Sequence, residues 1–492
     1  MSLTEVRDPE RSRFRLLIGV SVTGSVAVAI AIQWLAFSRH GFSMSPDSAS
    51  YLYAARSLGR GDGFVGPDGS HMLDFPPGYP AVLATTSEML GIQLVSAARL
   101  IGVIAAAITV CCVAAIVARC VPRDHWWVAS AAAMTVAAGP PLLEVADYTW
   151  SELLFLGLAM PTVVVLVWLP RPPIVASVAV GVLLAAGATV RTAGLLFSVA
   201  VVAVYLLRRQ FAHGVLVAVL ALTGPGLWAV HNKLVTGEAT VERGPPEAGL
   251  LRIVATAART AVEWFSPTRS SPAGYSIGLI VIAATVMAVV FSRRNWQQSP
   301  AIAVPVVLCG TITLTIAAAT VVAVDPLTTR LLAPVYPLLV IVMFGSYPLI
   351  SRRYAKLYLF VICLGSIAGL AQTLQYANSE GSGVLDRQLV AAACALPPEK
   401  IVSNLAAQLA WLCDRPVSWS PRTHLYESSR SLDELSPLRD SGNCVHIVWF
   451  NREGDRGYLV SLEDLESQLN PVITQTYSGG KILAARCSPA PR

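Results

Sequence analysis

The chain has 492 residues, 54% hydrophobic and only 13% charged, about half the charged share of a soluble domain. That balance excludes an ordinary soluble enzyme. The net charge of +6 does not indicate a nucleic-acid binder either, because the arginines are scattered among short polar joints rather than gathered on one face.

Apolar runs of about 20 residues fit a hydrocarbon core roughly 30 Å thick, and in chain order they predict eleven spans. These lie near residues 14–37, 94–118, 126–143, 148–169, 173–190, 193–207, 212–234, 274–292, 300–324, 331–350 and 354–374. Arg7, Arg11, Arg13 and Arg15 precede a first span longer than a signal peptide's apolar core, so it reads as an uncleaved helix. Arg119 with Arg123, Arg171, Arg208 with Arg209, Arg293 with Arg294, and Arg352 with Arg353 and Lys356 all fall on the N-terminal side. The positive-inside rule makes that side the cytoplasm. The expected membrane domain is thus 1–375, with loops 38–93 and 235–273, the DYTWSE turn and everything after about 375 on the outside. Within the second loop, residues 249–265 predict an interfacial amphipathic helix.

Residues 376–383, YANSEGSG, read as a linker. Residues 384–492 then predict a small α/β domain: a strand near IVSN, a helix through NLAAQLAWL, a strand at CVHIVWF, a helix at SLEDLESQL and a strand at KILAAR. The fold class is therefore a polytopic α-helical membrane protein of about eleven transmembrane helices with a small C-terminal extracytoplasmic α/β domain. Cys111, Cys112, Cys120, Cys309 and Cys363 lie in or beside spans and read as buried thiols. Cys394, Cys413, Cys444 and Cys487 fall in the outward tail, where disulfides form. The favoured pairs, Cys394–Cys413 and Cys444–Cys487, join the ends of neighbouring elements. With no CxxC spacing, zinc binding by cysteine is not indicated.

No span carries a charge near its middle; Glu144, Asp147, Glu152, Arg191, Lys233 and Arg330 sit at outer ends. Ion-coupled transporters bind near the midplane, so chemistry at the membrane surface favours an enzyme acting on a lipid-borne group. Asp47 follows Ser45-Pro46 and on its own reads as the cap of the helix SASYLYAARSL. Tyr51, four residues on, shares its face. The stretch LDFPPGYPAVLA, holding Tyr79, is a rigid turn back into the membrane. Glu152 opens a span where the positive helix pole favours an acid, and Asp147 in the same turn is its rival. Arg191 and Arg330 sit in outward joints against the positive-inside bias, which points to an anionic partner such as a lipid phosphate or to snorkelling. His71, His231 and His424 read as isolated.

In this order, SPDSASYLYAARSLGRGDGF, PPGYP, WSELLF, the R-x-x-G-L-L at Arg191 and TRLLAPVYPLL resemble the GT-C superfamily of membrane glycosyltransferases. The likeness is greatest to the bacterial protein-mannosyltransferase-like and aminoarabinose-transferase-like branch. The tail IVSNLAAQLAWLCDRPV also resembles that group's outward domain. The resemblance implies inverting transfer of a sugar from a polyprenyl-phosphate donor to an envelope acceptor (glycan, lipid or protein) outside the plasma membrane. It implies Asp47 as catalytic base and Glu152 or Asp147 as the assisting acid. Tyr51, Tyr79, Arg191 and Arg330 are the candidate substrate contacts, the arginines to stabilise the leaving phosphate. Some relatives use a divalent cation beside such acids, but the first loop lacks a clear D-x-D, so no metal is assigned. The rival readings are a flippase for lipid-linked glycans and a non-catalytic envelope assembly protein; no nucleic-acid partner is expected.

Overall fold

Hydrocarbon offers no partner for backbone N–H and C=O, so apolar runs of this length close their own hydrogen bonds as helices. The computed structural model describes residues 9–40, 43–241, 248–268, 271–322, 326–378, 385–421, 444–451 and 459–485. The membrane part comprises α1 (Pro9–His40), α2 (Pro46–Arg60), α3 (Gly78–Leu90), α4 (Leu94–Cys120), α5 (Trp126–Ala137), α6 (Pro140–Asp147), α7 (Glu152–Trp168) and α8 (Ile174–Val190). It continues with α9 (Ala193–Leu207), α10 (Phe211–Thr236), α11 (Leu250–Glu263), α12 (Pro272–Gln298), α13 (Ala303–Ala319), α14 (Thr329–Leu332), α15 (Val335–Ser346) and α16 (Arg352–Asn378).

Among the described residues, α4, α5 with α6, α10, α12, α13 with its leading turn, and α16 are long and apolar enough to cross a membrane. Shorter apolar stretches lie in α1, α7, α8, α9 and α15. Together they take up the eleven predicted spans. The third differs most: Gly139 turns extended and Pro140 restarts the chain as α6, carrying the segment on to Asp147. Small residues let the central helices approach closely. Gly157 of α7 lies so near α4 that an added Cβ would meet the Cβ of Ala105 at 3.0 Å.

Two shorter helices cover one end of the bundle. Ser45, not Asp47, caps α2: its side chain accepts from the N–H of Ser48, with Pro46 in the first helical position. This corrects the reading of Asp47 as the cap, because Pro46 fixes the helix start one residue earlier and leaves Asp47 inside the first turn. α3 begins at Gly78, whose backbone lies against the end of α8; a Cβ there would sit 2.6 Å from the Thr189 carbonyl.

The C-terminal domain runs α17 (Arg387–Cys394), β1 (Lys400–Ser403), α18 (Ala406–Cys413), β2 (Ser418–Trp419), β3 (Val445–Phe450), α19 (Leu462–Leu469), β4 (Val472–Tyr477) and β5 (Gly480–Ala485). Its sheet has the order β2-β1-β3-β5-β4. β1 is parallel to β2 and β3, while β3, β5 and β4 are antiparallel. Leu389, Ile401, Leu409 and Phe450 bury one face beneath α17 and α18; Val402, Ile447, Leu465 and Leu483 bury the other beneath α19. The sequence reading had not included α17, β2 or β4. α16 runs to Asn378, three residues into the expected linker. A disulfide joins Cys394 to Cys413. Cys444 is also disulfide-bonded, and Cys487 lies outside the described residues.

Candidate active site

Four elements bring charged side chains to one end of the bundle: the first turns of α2 and α7, the α8–α9 joint, and α14. Glu152 is the first residue of α7 and wholly buried, where the helix's positive pole favours its charge. Its Oε1 forms an ion pair with Nη1 of Arg191 at 2.5 Å and accepts from Nε of Arg330 at 3.1 Å, while Nη1 of Arg191 donates to the Ser151 hydroxyl at 3.5 Å. Nη2 of Arg330 in turn donates to Oδ2 of Asp47. Asp47, Arg330, Glu152 and Arg191 thus form one chain of alternating charge, two acids against two bases. Arg191 is only 8% exposed, so its pairing matters: an isolated buried charge is costly, a paired one much less so.

The loop bearing Arg330 is anchored by the amphipathic helix α11. Thr260 donates to the Leu327 carbonyl at 2.9 Å, and the Trp264 indole donates to the Thr329 hydroxyl at 3.2 Å. The turn between α6 and α7 supplies the floor. Trp150 lies 5.0 Å under the Arg330 guanidinium, stacks on Tyr148 at 4.6 Å, and donates to the Ser45 hydroxyl at 2.7 Å. The Ser48 hydroxyl donates to the Tyr148 carbonyl, so α2 is fastened to this turn at two points. Thr149 has φ 48°, a left-handed conformation that a β-branched residue adopts only under constraint. The constraint comes from two buried phenols. Tyr79 donates to the Thr149 carbonyl at 3.0 Å, and the hydroxyls of Tyr51 and Ser151 lie 3.3 Å apart. Burial first, then the charges of Asp47 and Glu152, pushes the Tyr51 phenol up to about 12, so it stays a neutral donor at any ordinary pH.

Among the described residues, Glu152 Oε2 and Arg191 Nε are buried without a hydrogen-bond partner. Buried polar atoms in native proteins are nearly always paired, and Asp147 Oδ1 and Thr149 Oγ1 in the adjoining turn lack a hydrogen-bond partner as well. A cavity of about 230 Å³ adjoins the Thr149–Trp150 turn, walled by Trp34, Ile101, Leu143, Leu153 and Leu154, with Arg99 and Asp147 also in its lining. A divalent cation does not fit this charge set. Both carboxylates are already engaged by guanidinium groups, whose positive charge would oppose a metal. In the C-terminal domain Glu399, Cys444 and His446 converge, but the disulfide bond of Cys444 removes the thiolate a metal would need.

Of the sequence candidates, the structure gathers Asp47, Glu152, Arg191 and Arg330 into one cluster, with Tyr51 and Tyr79 beneath. Both tyrosine rings are buried and their hydroxyls hold the turn. Asp147 points elsewhere: its Oδ2 accepts from Tyr376 of α16 at 2.9 Å. His71 and His231 are not isolated. Their rings lie 5.6 Å apart, beside Trp228, and His71 Nε2 is 3.0 Å from Asn232 Oδ1; His424 lies outside the described residues. Ser45, Trp150 and Ser151 were missed. The one signal for them was a tryptophan and a serine beside the acid in the polar turn DYTWSE.

Among the described residues, apolar helices with a charged cluster at one end and a C-terminal α/β domain make up a fold similar to that of solved GT-C proteins. ArnT from Cupriavidus metallidurans bound to undecaprenyl phosphate superposes with a TM-score of 0.60 at 15% identity, over 95% of this chain and 99% of that one. Its apo form gives 0.59 at 14% identity, over 94% and 97%. The Archaeoglobus fulgidus oligosaccharyltransferase complexed with zinc and sulfate gives 0.51 at 11% identity, over 87% of this chain and 67% of that one. No protein-family model and no curated protein matches the sequence. At these identities the likeness is one of fold.

Proposed function

We propose that this chain is an inverting glycosyltransferase of the plasma membrane that moves a sugar from a polyprenyl-phosphate donor to an envelope acceptor on the outer surface. The observation that carries the reading is the Asp47–Arg330–Glu152–Arg191 chain at one end of a bundle of apolar helices, with an apolar cavity behind the Trp150 turn. The fold is the one ArnT uses with undecaprenyl phosphate bound. The clustering of arginines at the opposite ends of the spans supports a cytoplasmic N-terminus and an extracytoplasmic C-terminal domain.

In the proposed reaction the acceptor hydroxyl attacks the anomeric carbon as Asp47 takes its proton. The new carbon–oxygen bond forms while the bond to the phosphate oxygen breaks, and polyprenyl phosphate leaves with the electron pair. One displacement inverts the carbon and needs no covalent sugar–enzyme intermediate. Arg330 and Arg191 face the growing negative charge on the phosphate, the role guanidinium groups fill best. Glu152 holds both arginines in place, and the apolar cavity takes the start of the prenyl chain. Charges gathered at helix ends rather than at mid-span favour this reading over a flippase.

The test is transfer by the reconstituted protein from radiolabelled polyprenyl-phosphate sugars to an envelope extract. Asp47→Asn is expected to lower turnover at least about 100-fold, within the range general bases contribute. Full turnover in that variant would remove Asp47 as the base; no transfer by the unaltered protein from any donor would overturn the enzymatic reading.

A further inference from the structure

We infer that the C-terminal domain is a positioning element for the helix that carries Asp47, acting through Trp411 and Asp414 at the end of α18. The inference rests on the reading of Asp47 as the base. α2 is a rod of 15 residues, with Asp47 in its first turn and Arg60 at its last residue, about 20 Å away at 1.5 Å per residue. Beyond Arg60 the chain passes through Gly61 and Gly63, both left-handed with φ 82° and 88°, a joint that leaves the far end of the rod without local restraint. The near end is fastened to the α6–α7 turn; the polar contacts at the far end come from α18.

Arg60 grips Asp414 as a two-pronged fork, Nη1 to Oδ1 at 2.9 Å and Nη2 to Oδ2 at 2.6 Å. Arg56 donates to the same Oδ1 at 2.9 Å and to the Trp411 carbonyl at 3.0 Å, and its guanidinium lies 3.6 Å over the Trp411 ring. Packing is reciprocal. Tyr53 of α2 adds to the apolar core of the C-terminal domain, and Trp411 of that domain adds to the apolar core of the membrane domain. A little further on, the Val417 N–H donates to the Pro67 carbonyl at 2.8 Å, tying the loop after α2 to the same surface. The disulfide at Cys413 fixes the end of α18 to α17 one residue before Asp414.

Lone surface ion pairs contribute little, and Asp414 is 46% exposed. The value of this one is geometric: a bidentate fork, a second arginine and a stacked ring set both the angle and the axial position of α2. A carboxylate base displaced by about 1 Å loses much of its effect, so a rod held at its far end matters at its near end.

The test is hydrogen exchange on the full-length protein in lipid nanodiscs, with turnover measured alongside. Asp414→Asn is expected to speed exchange across residues 46–60 about tenfold. It should lower kcat about tenfold, with donor KM changed less than twofold. Asp414→Glu and the charge-swapped Arg60→Asp/Asp414→Arg should each recover most of both. Arg60→Gln, which leaves the C-terminal domain untouched, should reproduce the Asp414→Asn phenotype even if the latter folds poorly. Unchanged exchange in Arg60→Gln, or a swapped pair as impaired as the singles, overturns the inference. Inactive Asp47→Asn beside clamp variants at full kcat defeats the positioning role alone. Active Asp47→Asn defeats the reading of the base instead, and the exchange data still decide whether α18 holds α2.

Discussion

Glu152→Gln is the sharpest perturbation of the charged cluster. The substitution preserves shape and one acceptor but removes the charge that two arginines share. At an effective dielectric of about 20, the separations of 2.5 Å and 3.1 Å correspond to gross attractions of about 7 and about 5 kcal/mol. Desolvation of the wholly buried carboxylate and of Arg191 cancels most of that. The net cost of leaving a buried partner uncompensated is about 3–5 kcal/mol, a large part of the 5–15 kcal/mol that holds a typical fold. Equilibrium denaturation in mixed micelles would measure it, as the first arm of a double-mutant cycle with Arg191→Met. Each single variant should lose about 3 kcal/mol or more. The double variant should lose about 2 kcal/mol less than their sum, because it no longer strands the Arg191 charge. Additivity within about 0.5 kcal/mol, the behaviour of independent sites, would show that the pair is not coupled and refute the reasoning.

Trp150→Ala removes the ring under Arg330 and the donor to Ser45; turnover should fall about tenfold, an effect near the upper range of a desolvated cation–π contact, and steady-state kinetics checks it. Tyr51 ionises at 10.0 when unperturbed and near 12 when folded, so its stabilising contribution is whole below pH 10 and lost as pH rises through about 12. Tyr51→Phe should flatten that alkaline limb of a denaturation series. Arg60 first, then Arg56, holds the Asp414 carboxyl below its usual range. Its contribution to docking is therefore present above the ordinary aspartate range and lost as pH falls through the depressed value. Rate-corrected exchange of residues 46–60 should remain slow at pH 5 and rise only below about 4. Removing the Cys394–Cys413 disulfide, 19 residues apart in sequence, by double alanine substitution should cost the C-terminal domain about 3 kcal/mol, read from its exchange protection.

The spans were legible because a bilayer demands long apolar runs, and Glu152, Arg191 and Arg330 because a charge at a span end is conspicuous against them; Asp47, in a polar loop, stood out only through the family resemblance. Their pairing was not legible. Arg330 meets Glu152 across 178 residues and Asp47 across 283, and no local pattern fixes contacts of that range. The choice between Glu152 and Asp147, five residues apart, was equally hidden. It turns on α7 starting at Glu152, which aims one acid at the arginines, while Asp147 ends α6 and meets Tyr376 of α16 instead. Capping was misread for a local reason, since Ser45 and Asp47 are both good caps and only the position of Pro46 decides between them. In the C-terminal domain, β2 is two residues long and β4 is exposed along nearly its whole length, so neither carries an apolar pattern to read.

The neutrality of the cluster bears on how a site of this kind avoids wasteful chemistry. Arg330 engages Asp47 in the structure, and a carboxylate held in that ion pair is not free to turn towards an acceptor hydroxyl. On the proposed reading, an arriving phosphate offers Arg330 a competing anion of higher charge. Turning the guanidinium towards it would free Asp47 at the moment the sugar is in place. Arg191 cannot substitute for that motion, since it is nearly fully buried and locked to Glu152, whereas Arg330 is the more exposed of the two at 18%. On that reading the division of labour follows from burial: Glu152 and the 9%-exposed Arg191 are the fixed half of the cluster, and the more exposed Asp47 and Arg330 the half free to exchange partners.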